Sequence, residues 1–101
     1  MKIEVIGRNY EVSERLKEIT DKKLAKLDKY FEKPEEITAN VVIRVRGKDQ
    51  IVEVTIPAKK IILRGEESHQ DLYAAIDLVS EKIERQMRKN KTRMNIKEIK
   101  K

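Results

Sequence analysis

A two-layer α+β sandwich in the order β-α-β-β-β-α, a four-stranded sheet with two helices on one face, is the fold this sequence predicts. Three observations carry it. Ile37, Ala39, Val41, Ile43 and Val45 recur at every second position, and Val52, Val54 and Ile56 do so again after a short turn, the period of half-buried strands. Two other segments repeat Leu, Ile and Ala at three- and four-residue spacing, the signature of amphipathic helices. Each element thus has one apolar side, and the sheet must hide its own beneath the helices.

The elements follow in order. Ile3 and Val5 alternate with Lys2, Glu4 and Arg8 in a first strand ending near Tyr10. Ser13 offers an N-cap, and Leu16, Ile19, Leu24, Leu27 and Phe31 continue a helix from about Glu14 to Phe31, where Pro34 forbids extension. The second strand runs from Ile37 to Arg46, with Thr38, Asn40, Val42, Arg44 and Arg46 on its wetter face. Gly47-Lys48-Asp49 turns the chain into the third strand, which Pro57 ends. Lys60 to Arg64 supplies a fourth strand, with Ile61 and Leu63 inward and Gly65 closing it. Ser68 and Asp71, in capping-box spacing, precede Leu72, Ala75, Ile76, Val79, Ile83 and Met87, so the second helix spans about His69 to Lys89 or Asn90. Residues 1–90 read as one domain and residues 91–101 as a basic C-terminal tail.

Charge is unevenly distributed. Residues 82–101 hold nine Lys and Arg against two acids, Glu84 and Glu98, a net +7, whereas the first 81 residues hold fifteen bases against sixteen acids, a net −1. A near-neutral body with a strongly basic end is the footprint of a protein that docks on a polyanion. With no Cys, the chain has neither disulfides nor thiolate chemistry, which fits a reducing compartment. No apolar run approaches the roughly twenty residues of a membrane span. The expectation is a soluble, cytoplasmic, monomeric domain with no membrane partner.

On a helical wheel Lys22, Lys26 and Lys29 share one flank of the first helix, and Lys82, Arg85 and Lys89 form a ridge on the second that Arg93 would extend. Seven net charges in twenty residues exceed what a helix C-terminus alone favours. Catalysis finds little support. Glu66 and Glu67 suit a solvated loop ahead of a helix, and His69, the sole histidine, suits its first turn. No second His or Cys completes a metal site or nucleophilic triad, so no catalytic residue, metal or cofactor is expected. Of the aromatic residues, Phe31 and Tyr73 fall where core or core-edge packing is expected, and the wet face of the second strand carries none for stacking bases. Structured RNA, gripped through its phosphates and shape, fits best. Double-stranded-RNA-binding domains use a similar fold design, and a general module of that kind is the alternative reading.

The stretch Glu66-Glu67-Ser68-His69-Gln70-Asp71-Leu72-Tyr73-Ala74-Ala75-Ile76-Asp77, followed by Lys82-Ile83-Glu84-Arg85-Gln86 and Arg88-Lys89-Asn90-Lys91, resembles the ribosome hibernation promoting factor and ribosome-associated inhibitor family. Lys23 to Phe31 and Val52 to Pro57 match as well. The resemblance implies the fold derived above and a non-enzymatic role: occupying the messenger RNA and tRNA channel of the small ribosomal subunit and silencing idle ribosomes. It implies contacts to ribosomal RNA from Lys23, Lys26 and Lys29 on the first helix and Lys82, Arg85, Lys89 and Lys91 on the second, with Arg88 and Arg93 basic where some relatives are not. The wheel favours Lys22 over Lys23 for the exposed flank, so both are candidates. Longer members append a linker and a domain that pairs ribosomes. By resemblance, this sequence is either a short form or the first domain of a long one.

Overall fold

The computed structural model describes residues 1–58 and 61–90. Strand β1 (Lys2–Gly7) leads into helix α1 (Glu14–Leu24), whose path continues as a 3₁₀ helix over Ala25–Tyr30. A short 3₁₀ turn at Pro34–Glu36 precedes β2 (Thr38–Arg46), β3 (Asp49–Pro57), β4 (Ile62–His69) and α2 (Leu72–Lys89). The sheet order is β1-β2-β3-β4. β1 lies parallel to β2, a pairing that requires a crossover, which α1 supplies, while β2, β3 and β4 form an antiparallel meander. The expected β-α-β-β-β-α order and α+β class are what the structure has.

The alternation of the strands places the core as expected. Ala39, Val41 and Ile43 of β2, Val52, Val54 and Ile56 of β3 and Leu63 of β4 are buried against Leu16, Leu24, Leu27 and Phe31 from the first helical segment and Ala75, Ile76, Val79, Ile83 and Met87 from α2. Each such Leu, Ile or Val removed from water contributes roughly 1.5–3 kcal/mol. Val45, at the far end of β2, is beyond the helices' cover and stays exposed. Arg46 and Asp49 are paired across the hairpin, so the turn has two residues, Gly47 and Lys48, and Gly47 adopts the positive φ of 61° that such turns favour at their first position.

Four boundaries differ from expectation. β1 ends at Gly7 rather than near Tyr10. α1 stops at Leu24, and the rest of its expected length is 3₁₀. Gly65 does not close β4: it is a buried mid-strand residue, and a Cβ there would lie 3.2 Å from Ile83 Cδ1 and 3.4 Å from Val79 Cγ2. The glycine lets α2 settle close to the strand, and the strand runs on through Glu66, Glu67, Ser68 and His69. These residues are therefore neither loop nor first helical turn. Asp71 caps α2 by accepting a 2.9 Å hydrogen bond from the Tyr73 N–H, and the Asp71 N–H donates to His69 Nδ1 at 2.9 Å. Ser13 caps α1 as expected, accepting from the Leu16 N–H at 3.1 Å. Lys60, expected to begin the fourth strand, its neighbour Lys59, and the tail at 91–101 lie outside the described residues.

The edge strand β4 has its own closure. The Gln86 side chain accepts from the Arg64 N–H at 3.3 Å and donates to the Arg64 carbonyl at 2.7 Å.

Candidate nucleic-acid interface

The two helical segments lie side by side and run in the same direction. Lys23 Nζ meets Asp77 Oδ1 at 2.8 Å, the buried Ser80 hydroxyl donates to the Lys23 carbonyl at 3.3 Å, and the Tyr30 hydroxyl donates to Glu84 Oε2 at 2.8 Å. Contacts climb both helices together, so their outward faces form one surface. Burial of Leu24, Leu27, Ile76, Val79 and Ile83 beneath holds this arrangement, and the half-exposed Lys23–Asp77 pair adds at most about 1 kcal/mol.

Glu84 is the electrostatic centre of that surface. Its side chain is only 12% exposed and lies 3.6 Å from Lys26 Nζ, 3.6 Å from Lys29 Nζ and 4.0 Å from an Arg88 guanidinium nitrogen. The 3₁₀ geometry explains the convergence: residues three apart eclipse one another, so Lys26 and Lys29 stack in one row facing α2. Lys29 also sits 5.4 Å from the centre of the Tyr30 ring. The Tyr30 hydrogen bond and the three cations hold the Glu84 carboxyl below the usual carboxylate range, although burial opposes them. Tyr30 is raised, chiefly by burial and then by its bond to Glu84. One carboxylate among three cations leaves the cluster net positive.

The remaining candidates separate into two groups. Arg85 and Lys89 are exposed, take part in no ion pair among the described residues, and line an open cleft of about 530 Å³ with Lys82, Gln86 and Arg88. Lys82 is turned toward the sheet, 3.3 Å from Glu67 Oε2 and 3.4 Å from the Glu66 carbonyl. On the first helix Lys22 is exposed, whereas Lys23 is drawn to Asp77. The structure thus brings Lys26, Lys29 and Arg88 together, sets Arg85 and Lys89 beside them, and ties Lys23 and Lys82 to carboxylates. Lys91 and Arg93 lie outside the described residues.

Three contributors were not singled out by sequence. Glu84 and its partners on the first helix are more than fifty positions apart, which no periodicity reveals. Arg15, seven residues before Lys22, shares the basic flank by the same spacing that marked Lys29. Tyr73, expected at the core edge, is 44% exposed. Glu66 pairs with Arg44 at 3.1 Å across the open face of the sheet. Among the described residues no group of three or more His, Cys, Asp or Glu could hold a metal ion, and no helix is long and apolar enough to cross a membrane.

Comparison with known proteins accords with this architecture. Residues 3–95 match the family model described as Sigma 54 modulation protein / S30EA ribosomal protein. The chain is 47% identical over 96 residues to a ribosome hibernation promotion factor of Lactococcus lactis subsp. cremoris (strain MG1363), covering 94% of this chain and 52% of that protein. It is 39% identical over 96 residues to a ribosome hibernation promotion factor of Staphylococcus aureus (strain COL), covering 94% and 50%. The chain therefore spans about half the length of these relatives. Among solved structures, the N-terminal domain of Thermus thermophilus Protein Y superposes with a TM-score of 0.78 at 36% identity, covering 88% of this chain and 98% of that one. A ribosomal subunit interface protein from Coxiella burnetii superposes with a TM-score of 0.79 at 25% identity, covering 91% and 99%. This chain belongs to the Sigma 54 modulation protein / S30EA ribosomal protein family, that of the ribosome hibernation promotion factors.

Proposed function

We propose that this domain is a cytoplasmic, non-enzymatic translation silencer that binds the small ribosomal subunit and occupies its messenger RNA and tRNA channel. Its contacts are charge-assisted, from the helix face to ribosomal RNA phosphates. Lys26, Lys29 and Arg88 form the centre of that face and Lys22, Arg85 and Lys89 flank it; Lys91 and Arg93, which follow in the sequence, are proposed as further contacts. Lys23 links the first helix to α2 through Asp77, and Lys82 links α2 to β4 through Glu67. The observation that carries the reading is the convergence of three cations from two helices on the single carboxylate of Glu84. A phosphate approaching there meets a pre-assembled positive surface, so little side-chain ordering remains to oppose binding. Inhibition is steric, and specificity comes from the fit of a rigid shape into a cleft.

Cosedimentation with purified small subunits tests this directly. Binding is expected, with messenger RNA and initiator tRNA competing and free RNA duplex competing poorly. If about six phosphates are neutralised, affinity falls by on the order of a thousandfold between 50 and 200 mM salt. A flat salt response overturns the electrostatic reading, and duplex competing as well as messenger and tRNA replaces it with a general RNA-binding module.

A further inference from the structure

We infer that the cleft at the amino-terminal end of the helix pair is a stacking site for one unpaired nucleotide of a structured RNA, with Tyr73 as the platform. The inference rests on the RNA-binding reading above and adds a base contact to a surface otherwise built for phosphates. The cleft has a volume of about 520 Å³ and is lined by Arg15, Ile19, Lys22, Lys23 and Tyr73. That size lies in the range of small-molecule sites, roughly 300–1,000 Å³.

Tyr73 is the exposed aromatic of the domain, for Phe31 is fully buried and Tyr10 and Tyr30 pack against the core. A tyrosine serving only to cover the core would turn inward, but the adjacent Leu72 already does so. Tyr73 is also rigidly mounted. It lies in the first turn of α2, and its N–H is held by the Asp71 cap at 2.9 Å. A ring presented on a fixed element loses little freedom when a base covers it, and such stacking is worth about 1–3 kcal/mol per base.

The charges beside it suit a nucleotide better than an apolar ligand. Lys23 is drawn to Asp77, but Arg15 and Lys22 are exposed and enter no ion pair among the described residues. They stand on the flank of the first helix that continues to Lys26 and Lys29. A backbone following that flank delivers one nucleotide to the cleft, where Ile19 offers an apolar edge and the two cations donate to the adjoining phosphate. Unpaired bases in loops and bulges are those free to leave their stack for a protein ring.

The test compares, by fluorescence anisotropy, an RNA hairpin carrying one bulged adenosine with the same hairpin carrying an abasic bulge, so phosphates are matched and only the base differs. Wild type is expected to favour the adenosine hairpin by on the order of tenfold. Tyr73→Phe retains that preference, and Tyr73→Leu abolishes it without changing affinity for the abasic hairpin. A preference that persists in Tyr73→Leu overturns the site. Cosedimentation of wild type with small subunits runs in parallel. Retained subunit binding alongside equal affinities for the two hairpins overturns the stacking site alone, and loss of both overturns the two readings together.

Discussion

The open face of the sheet and the outer face of the helices are both rich in charge, yet they are organised in opposite ways. On the sheet Arg44 is matched to Glu66 at 3.1 Å, Lys2 to Glu4 at 3.6 Å, and Arg46 stands opposite Asp49 across the hairpin. On the helices three cations share Glu84, and Lys22, Arg85 and Lys89 enter no ion pair among the described residues. What sets the proposed binding face apart is less the count of its charges than the ratio of cations to nearby carboxylates around Glu84. A matched pair attracts a polyanion weakly, because the cation brings an anion to the same place.

The comparison breaks most severely if the helix face loses its support. Ile83 is wholly buried between α2 and the sheet, so Ile83→Ala leaves a cavity and lowers unfolding free energy by about 2–5 kcal/mol in a denaturant titration. The RNA binding proposed for the helix face is expected to fall with it. Reversing charge without touching the core separates the two faces more sharply. Arg85→Glu with Lys89→Glu is expected to weaken small-subunit binding at least about a hundredfold with a thermal midpoint within about 2 °C of wild type, whereas Arg46→Glu on the sheet changes binding by less than about threefold. Equal losses on both faces would show that net charge alone governs docking. Lys82 is a poor choice for such a variant, since a carboxylate there would confront Glu67.

A smaller and opposite effect is expected at Glu84. Glu84→Gln removes the anion that an incoming phosphate must outcompete, so affinity at low salt rises by roughly threefold to tenfold and the salt dependence steepens by up to about one phosphate equivalent. Its stability consequence depends on pH. Because the folded-state carboxyl is held below its ordinary value of 4.5, the stabilisation it supplies is fully present above that value and is lost as pH falls through the lowered one. Wild type and Glu84→Gln should therefore differ in unfolding free energy at neutral pH and converge in acid. Tyr30→Phe acts on the same carboxylate through stability alone: it deletes the 2.8 Å bond to Glu84 and costs about 1 kcal/mol, read as a lower thermal midpoint.

Much of this architecture is legible in the residues. The alternation at Ile37 to Val45 and the spacing from Leu72 to Met87 identify the buried faces, because burial in strands and amphipathic helices imposes those periods directly. What escaped reading depends on contacts between distant segments. Gly65 looks like a terminator by composition, yet its meaning is the closeness of Ile83 and Val79 across the layer. Leu24, Leu27 and Tyr30 are three apart, a spacing compatible with either helical form, so the change to 3₁₀ after Leu24 is invisible in one dimension. The candidate cations were identifiable as a set, but their division into converging, flanking and tied groups is written by Asp77, Glu84 and Glu67, which act from other elements. Tyr73 shows the same limit: its spacing places it near the core, and only the turn of α2 directs it outward.

The amide of Gln86 has a consequence for solution behaviour. By occupying both backbone hydrogen-bonding groups of Arg64 on the outermost strand, it plugs the position where a second copy would otherwise zip on and extend the sheet between molecules. The helix that carries the proposed contact cations thus also guards the domain's flank against fibril-like stacking, and Gln86→Ala should reveal this as turbidity appearing at lower protein concentration than wild type.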